Sequence, residues 1–361
     1  MKSKKLKEFI DSSKLAEKLK KFFGYDSIIL GVNHACPLMC EKCYLNYPFS
    51  FQTNEISLED YERIIKQAKE LNVSEFRIAE KEPFSTPQRL FDIINLIKKV
   101  YGKQKHEIVM VTNGILAKEN FESTKRNKIF FDYLCFSIDG FDETDKILRK
   151  RSKEIYEKIS VREILETAKQ YKKISSKLCI NSVLTNKNYK ELPEFIEWAH
   201  KIAPEIDLFS IDIFNEVPEK NNSHLKCSIM EFDEFIKKIE EKANNKKIRI
   251  DLVIYANKKM KEYLKWLYEN KYIKENADMT KNLFFVSQRG YFRIFYQLFP
   301  IEGIKDLRIS SDGYVMGLAN ELMSGNYRQE AVGNIKEESL KELWSKFREK
   351  NLKKLIAEYL N

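Results

Sequence analysis

The sequence predicts an α/β protein whose main part is a partial, TIM-like (β/α)6 barrel, followed by a small α+β extension at the carboxyl-terminal end. Short apolar segments alternate with amphipathic helical segments between residues 28 and 255, a pattern typical of a parallel sheet covered by helices. Beyond this point the alternation stops, and aromatic residues crowd positions 284–299 before a hairpin signal, Asp312-Gly313. We therefore expect an amino-terminal helix at 1–24, the barrel at 25–255 and the extension at 256–361.

The predicted strands are short runs rich in Ile, Val, Leu and Phe, and the predicted helices carry apolar residues three or four positions apart. The first barrel helix has a start signal, with Ser57 as cap and Asp60 in the first turn. In the extension we expect a hairpin of strands and a final helix around Trp344. The strands are expected at 28–32, 76–79, 108–111, 134–138, 178–184, 206–214 and 248–254, and the helices at 57–71, 90–100, 161–171, 192–202 and 232–243.

Composition places the chain among ordinary globular proteins. It has 361 residues, 43% hydrophobic and 33% charged, with a net charge of +10. The lysines are spread among nearly as many acids, which favours solvated helix faces over a nucleic-acid partner. Because we find neither a secretory signal nor an apolar stretch of about 18 residues, we expect a cytoplasmic protein without membrane contact.

Three cysteines form the most informative motif. Cys36, Cys40 and Cys43 share one short segment directly after the first predicted strand. A 4Fe–4S cluster normally takes four thiolates, so three cysteines would leave one iron open to another ligand. His34 leaves an alternative open, since three thiolates and one imidazole can close a structural zinc site in a non-catalytic binding protein. The other cysteines are scattered, and no disulfide framework is expected.

Polar residues follow successive predicted strands at the ends where parallel barrels bind ligands. Because residues two apart in a strand share a face, the two polar residues that end the fourth strand point the same way. One shared ligand would explain this placement. The residues concerned are Glu82 and Pro83 after strand two, Asn113 after strand three, Ser137 and Asp139 at the end of strand four, and Asn181 within strand five.

These motifs resemble the radical S-adenosylmethionine (radical SAM) superfamily over most of the chain. The cysteine spacing is that of the family, Glu80–Pro83 is similar to its Gly-Gly-Glu-Pro motif with both glycines replaced, and Ser137–Gly140 resembles its ribose-contacting segment. The resemblance implies that the three cysteines hold a 4Fe–4S cluster. It also implies that Glu82 accepts the ammonium of S-adenosylmethionine, and that Arg149 binds its carboxylate.

In the family an aromatic residue or His usually stands before the third cysteine, near the adenine. Here that position is Lys42, and Tyr44 would cover part of the aromatic role.

The resemblance also implies an activity. A donor of the flavodoxin or ferredoxin type would reduce the cluster, S-adenosylmethionine would be cleaved to a 5′-deoxyadenosyl radical, and that radical would take a hydrogen atom from a substrate C–H. Residues 307–344 resemble the SPASM or twitch extension of the family, yet no cysteine follows Cys227, so we expect no auxiliary cluster. This extension favours a ribosomally made peptide as substrate. The alternative is a dehydratase, dehydrogenase or epimerase acting on a sugar or another small metabolite, and in an epimerase Cys227 would return a hydrogen atom.

Overall fold

The computed structural model describes residues 27–43, 55–150, 158–214, 216, 221–256, 260–272, 284–298, 306–316, 328 and 331–359. Within these residues, twelve strands form one sheet in the order β12-β11-β10-β1-β2-β3-β4-β5-β6-β7-β9-β8. The strands are β1 (Ser27–Leu30), β2 (Glu75–Ile78), β3 (Glu107–Thr112), β4 (Phe131–Ser137), β5 (Ser175–Leu184), β6 (Leu208–Ile213), β7 (Ile250–Ala256), β8 (Phe284–Arg289), β9 (Phe292–Leu298), β10 (Asp306–Ile309), β11 (Tyr314–Met316) and β12 (Gly333–Asn334).

Helices follow most of the parallel strands, as the alternation predicted. Three of them begin with a serine capping box, at Ser57, Ser160 and Ser228, which satisfies backbone N–H groups of the first turn. The described helices are α1 (Leu58–Glu70), α2 (Pro87–Tyr101), α3 (Ala117–Arg126), α4 (Asp142–Leu148), α5 (Val161–Tyr171), α6 (Leu192–Ile202), α7 (Ile229–Lys246), α8 (Lys261–Glu269) and α9 (Leu340–Tyr359).

Strands β1 to β7 are parallel and adjacent in chain order, which confirms the predicted fold class. One face of the sheet packs against the helices. Phe136, for example, is fully buried with its ring centroid 5.8 Å from that of Tyr171 on α5. Because strands alternate, the other face carries Ser137 and its neighbours in the adjacent strands. The carboxyl ends of these parallel strands lie along one rim.

The strands of the carboxyl-terminal part extend this same sheet on both sides. β10 pairs in parallel with β1, and β9 pairs in parallel with β7. The aromatic run expected at 284–299 forms the antiparallel hairpin of β8 and β9. Trp344 on α9 is fully buried, and the N–H of Leu340 donates to Oε1 of Gln67 on α1 at 2.7 Å. These strands therefore continue the sheet of the barrel, and the domain boundary expected at residue 256 stays a prediction.

Two sequence-based expectations fall on residues that the structure does not describe. The amino-terminal helix at 1–24 and Tyr44 both lie outside the described ranges. Among the helices that are described, none has the length and apolar character needed to cross a bilayer.

Candidate functional site

The three clustered cysteines lie in the loop after β1, each half-buried. Burial, with smaller contributions from Cys40 and Glu82, raises the pKa of the Cys36 thiol to about 12. Burial also raises the pKa of Cys40 to about 11, although Arg149 opposes that shift. Without a bound cation the Cys36 and Cys40 thiols stay protonated at neutral pH. A metal centre would therefore supply the positive charge that this thiol-rich, poorly hydrated loop needs to ionise.

The spacing of the thiols bears on which metal centre fits. Among the residues that the structure describes, no three His, Cys, Asp or Glu side chains converge closely enough to hold a single metal ion. In a 4Fe–4S cluster each thiolate binds a different iron, so its thiols need not converge on one point. His34, the fourth ligand of the zinc alternative, instead contacts the Ser311 hydroxyl at 3.1 Å. Three thiols with one coordination position left over match the donor set of a 4Fe–4S cluster that keeps one iron open.

Arg149 stands beside these thiols. Its guanidinium is almost fully buried, with 3% of the residue exposed. Burial opposes its charge, yet Asp145, Asp139 and the nearby thiols outweigh burial and raise the pKa of Arg149. Nη2 donates to the carbonyl oxygen of Asn113 at 3.3 Å, whereas Nη1 has no hydrogen-bond partner within the described part of the chain. A buried guanidinium donor without an acceptor is expensive, so this atom is available for an anionic ligand.

Glu82 is fixed in the turn after β2. One carboxylate oxygen accepts hydrogen bonds from the Phe84 N–H at 3.1 Å and the Thr112 hydroxyl at 2.8 Å. The other accepts from the Asn113 N–H at 2.7 Å. Burial raises the pKa of Glu82, and these three bonds partly offset that shift. Pro83 begins the short helix that holds Phe84 in place, so the carboxylate is pre-oriented and keeps one lone-pair site on its second oxygen for a cationic ligand.

Asn113 joins the third strand end to the cysteine loop. Its Nδ2 lies 3.5 Å from Sγ of Cys36 and is oriented to donate, and its Oδ1 accepts from the N–H of Ile115 at 2.9 Å. An amide N–H directed at a sulfur stabilises a thiolate, and hydrogen bonds of this kind tune metal–sulfur centres. Asn113 therefore lies among the cysteines, Glu82 and Arg149, as predicted from its place after β3.

Asp139 lies in a buried ion network. It is fully buried, and its Oδ1 accepts from Nζ of Lys42 at 2.6 Å and from the N–H of Val183 at 2.8 Å. Nε of Arg149 lies 3.8 Å from its other oxygen, and Nη1 of Arg149 lies 3.7 Å from Asp145. The lysine noted as a departure from the family pattern thus pairs with an acid 97 positions away. In this position Asp139 orients the cysteine loop through Lys42.

Ser137 and Asn181 lie side by side on the face opposite the helices, since they are in register between β4 and β5. Nδ2 of Asn181 donates to Oδ2 of Asp212 on β6 at 3.0 Å. Burial, assisted by Asp139, raises the pKa of Asp212 from 3.8 to about 6. The sequence analysis missed Asp212. The sequence did contain a signal for it. Ser210 and Asp212 are polar residues two positions apart at the end of a predicted strand, the same pattern that identified Ser137 and Asp139.

Cys227 is not part of this contact network. The residue is buried in the main hydrophobic core just before α7, and burial raises the pKa of its thiol to about 12. The hydroxyl of Tyr263 on α8 donates to its backbone carbonyl. That Cys227 returns a hydrogen atom to a substrate radical stays a prediction, and its side chain is packed in the core.

The extension meets the cysteine loop through Glu80, the residue that replaces the first glycine of the family motif. Its carboxylate accepts from the N–H of Ser311 at 3.2 Å and lies 4.0 Å from His34. A β-carbon at Gly31 would collide with this carboxylate and with the Ser311 backbone, so only glycine leaves room for the contact. The hairpin turn between β10 and β11 is thereby joined to the segment that leads to Cys36.

The part of the chain that carries most of these residues is similar to a known family. Residues 30–199 match the model of the radical SAM superfamily. The PqqA peptide cyclase of Bradyrhizobium diazoefficiens is 20% identical over 232 residues, which cover 63% of this chain and 57% of that protein. This chain therefore matches little more than half the length of that curated relative.

Solved structures agree on the fold. The crystal structure of Streptococcus suis SuiB bound to its precursor peptide SuiA is similar with a TM-score of 0.63 and 18% identity, covering 95% of this chain and 70% of that one. Native anSMEcpe with bound AdoMet has a TM-score of 0.58 and 16% identity, covering 90% and 82%.

Proposed function

We propose, from the premise that this chain belongs to the radical SAM superfamily, that it is an enzyme which binds a 4Fe–4S cluster and S-adenosylmethionine and modifies a ribosomally made peptide. The observation that carries the proposal is one contact network. It joins the three-cysteine loop to a buried carboxylate, Glu82, and a buried guanidinium, Arg149, by way of Asn113. We propose that residues 25–255 form the cofactor-binding barrel and 256–361 an extension without a cluster of its own.

The cysteines at 36, 40 and 43 would hold the cluster and leave one iron free for S-adenosylmethionine. When bound, the two groups together supply one-electron reductive cleavage and a carbon-centred radical strong enough to take hydrogen from an unactivated C–H bond. Arg149 and the Nδ2 of Asn113 offset the negative charge of the thiolates. Lys42, fixed by Asp139, adds a second positive charge next to Cys43.

The remaining residues would orient the nucleotide. Glu82 would accept the ammonium group of its methionine end, a charge-assisted bond in a site with little water. Nη1 of Arg149 would donate to the carboxylate of the same end. Asn113, Ser137 and Asn181 would contact the adenosyl part. Because most of these side chains are held by other hydrogen bonds, binding would require little reorganisation.

A peptide substrate is supported by two kinds of relative. The curated relative is a peptide cyclase, and SuiB has been crystallised with its precursor peptide. In this chain the extension is joined to the cysteine loop through Glu80 and Ser311, which would let a peptide held by the extension reach the radical. We propose a one-electron donor of the flavodoxin or ferredoxin type.

The test is anaerobic reconstitution followed by detection of 5′-deoxyadenosine. The wild-type protein is expected to form 5′-deoxyadenosine and methionine from S-adenosylmethionine in the presence of a strong reductant. Cys40→Ala should lose this activity while remaining folded, and Cys227→Ala should retain cofactor cleavage. Undiminished 5′-deoxyadenosine formation by Cys40→Ala would refute the assignment.

The substrate class needs its own experiment. Short peptides encoded beside the gene, incubated with the reconstituted enzyme, should change in mass only when S-adenosylmethionine and reductant are both present. A sugar or another small metabolite that turns over in place of every such peptide would replace the peptide proposal.

A further inference from the structure

The barrel face opposite the helices carries a line of polar residues beside the proposed nucleotide site. Ser137 on β4, Asn181 on β5 and Ser210 on β6 are in register. Asp212 lies two residues beyond Ser210 on the same face of β6. Each of these side chains keeps some solvent exposure, unlike their neighbours Phe136, Ile180 and Ile211 on the helix side.

Several of the described carboxylates on and beside this face are paired with a cation, whereas Asp212 is not. Asp139 pairs with Lys42, Asp145 lies 3.7 Å from Arg149, and Oδ1 of Asp251 accepts from Nε of Arg293 at 2.6 Å. Asp212 receives one hydrogen bond, from the amide of Asn181. In the described ranges no Lys, Arg or His lies within ion-pair distance of it, and Lys42, which is paired with Asp139, acts on it only from further away. A partly buried carboxylate without a cation at ion-pair distance is electrostatically unfavourable, and a bound cation would relieve this.

The surroundings of Asp212 match one kind of ligand. The residues beside it in the sheet are Val183 on β5 and Val253 on β7, and both are partly exposed. A carboxylate between two accessible valines complements a side chain with an aliphatic stem and a charged end. Lysine and arginine have this form.

We propose that Asp212 determines substrate specificity by binding the ammonium or guanidinium group of a basic residue in the peptide. The inference rests on the proposed function and deepens it, since it names a feature of the substrate. Asn181 holds the carboxylate in orientation and is also the register partner of Ser137, a proposed adenosyl contact. A basic residue bound at Asp212 would therefore lie one strand away from Asn181, a proposed adenosyl contact.

The test uses the reconstituted protein with S-adenosylmethionine and three probes: Nα-acetyl-lysine N-methylamide, its arginine analogue and its norleucine analogue, which keeps the stem without the charge. Binding is measured by ligand-observed NMR. The lysine and arginine probes are expected to bind the wild type at least tenfold more tightly than norleucine does. Asp212→Asn should remove that preference, and Asp233→Asn, the same change at a surface pair on α7, should preserve it.

Failure here is distinguishable from failure of the proposed function. If the wild type forms 5′-deoxyadenosine but binds norleucine as well as lysine, the inference on Asp212 is wrong and the proposed function stands. If Asp212→Asn loses affinity for S-adenosylmethionine and keeps the lysine preference, Asp212 serves the cofactor and the inference is also overturned. The comparison of probes on the wild type needs no variant, so it decides the question even if a variant folds poorly.

Discussion

Two parts of one sheet differ in how their buried carboxylates are compensated by hydrogen bonds and ion pairs. At the rim formed by β1 to β4, Glu82 receives three hydrogen bonds, and Asp139 and Asp145 are held by Lys42 and Arg149. On the wall formed by β5 to β7, Asp251 is paired with Arg293, but Asp212 has one amide donor and, among the described residues, no Lys, Arg or His within ion-pair distance. Side chains whose charges are already paired need little rearrangement when a cofactor binds. A carboxylate without a nearby cation instead favours a ligand that carries the opposite charge. The difference suggests that the rim is built for the cofactor and the wall for the substrate.

The largest effect is expected when the rim network is broken. Arg149→Ala would leave Asp139 and Asp145 buried with less compensating charge, and we expect it to destabilise the protein by about 3–5 kcal/mol. The measurement is urea unfolding of the cluster-free protein, which separates stability from cofactor loading. Lys66→Ala, which removes an exposed pair with Glu62 on α1, is the control and should change stability by about 0.5 kcal/mol or less. Equal losses in the two variants would mean that the rim network adds no stability of its own.

A substitution in the wall, Asp212→Asn, should stabilise the protein rather than destabilise it. The pKa of Asp212 is raised from 3.8 to about 6, so the folded state resists ionisation and loses stability as pH rises through this range. Asp212→Asn removes the penalty, and we expect a gain of about 1–3 kcal/mol at pH 7.5. The gain should shrink below pH 6 and vanish only well below the unfolded pKa of 3.8, where the carboxyl is protonated in both states.

Thermal unfolding of Asp212→Asn and wild type from pH 4 to 8 would measure this difference. Destabilisation by Asp212→Asn at pH 7.5 would show that Asp212 is satisfied within the protein, and the contrast between rim and wall would fail.

The smallest effect concerns the contact between the extension and the cysteine loop. Ser311→Ala removes the hydroxyl that meets His34 and leaves the backbone bond to Glu80. We expect a loss of about 1 kcal/mol, together with slower cluster reconstitution, because His34 is two residues from Cys36. Ser345→Ala on the exposed side of α9 is the matched control. Identical reconstitution rates in the two variants would show that the extension does not order the loop.

Most of the fold could be predicted from local hydrophobic patterns in the sequence. The seven parallel strands each combine apolar residues with a helix signal nearby, and the rim residues follow from where those strands end. The ion network was not readable, because Lys42 and Asp139 are 97 positions apart and neither position carries a local signal for the other. Pairing of β10 with β1 joins residues about 280 positions apart, which no periodicity encodes. Asp212 could have been found from its alternation with Ile211 and Ile213, but only the three-dimensional structure shows that no described Lys, Arg or His lies within ion-pair distance of it.

The most direct test of the central claim is the iron and sulfide content of anaerobically reconstituted wild-type protein, read together with its visible absorption. The account predicts about four irons and four sulfides per chain, a brown protein, and a change in the electron paramagnetic resonance spectrum of the reduced form when S-adenosylmethionine is added. A colourless protein holding one zinc would contradict it. So would a cluster whose electron paramagnetic resonance spectrum does not change when S-adenosylmethionine is added.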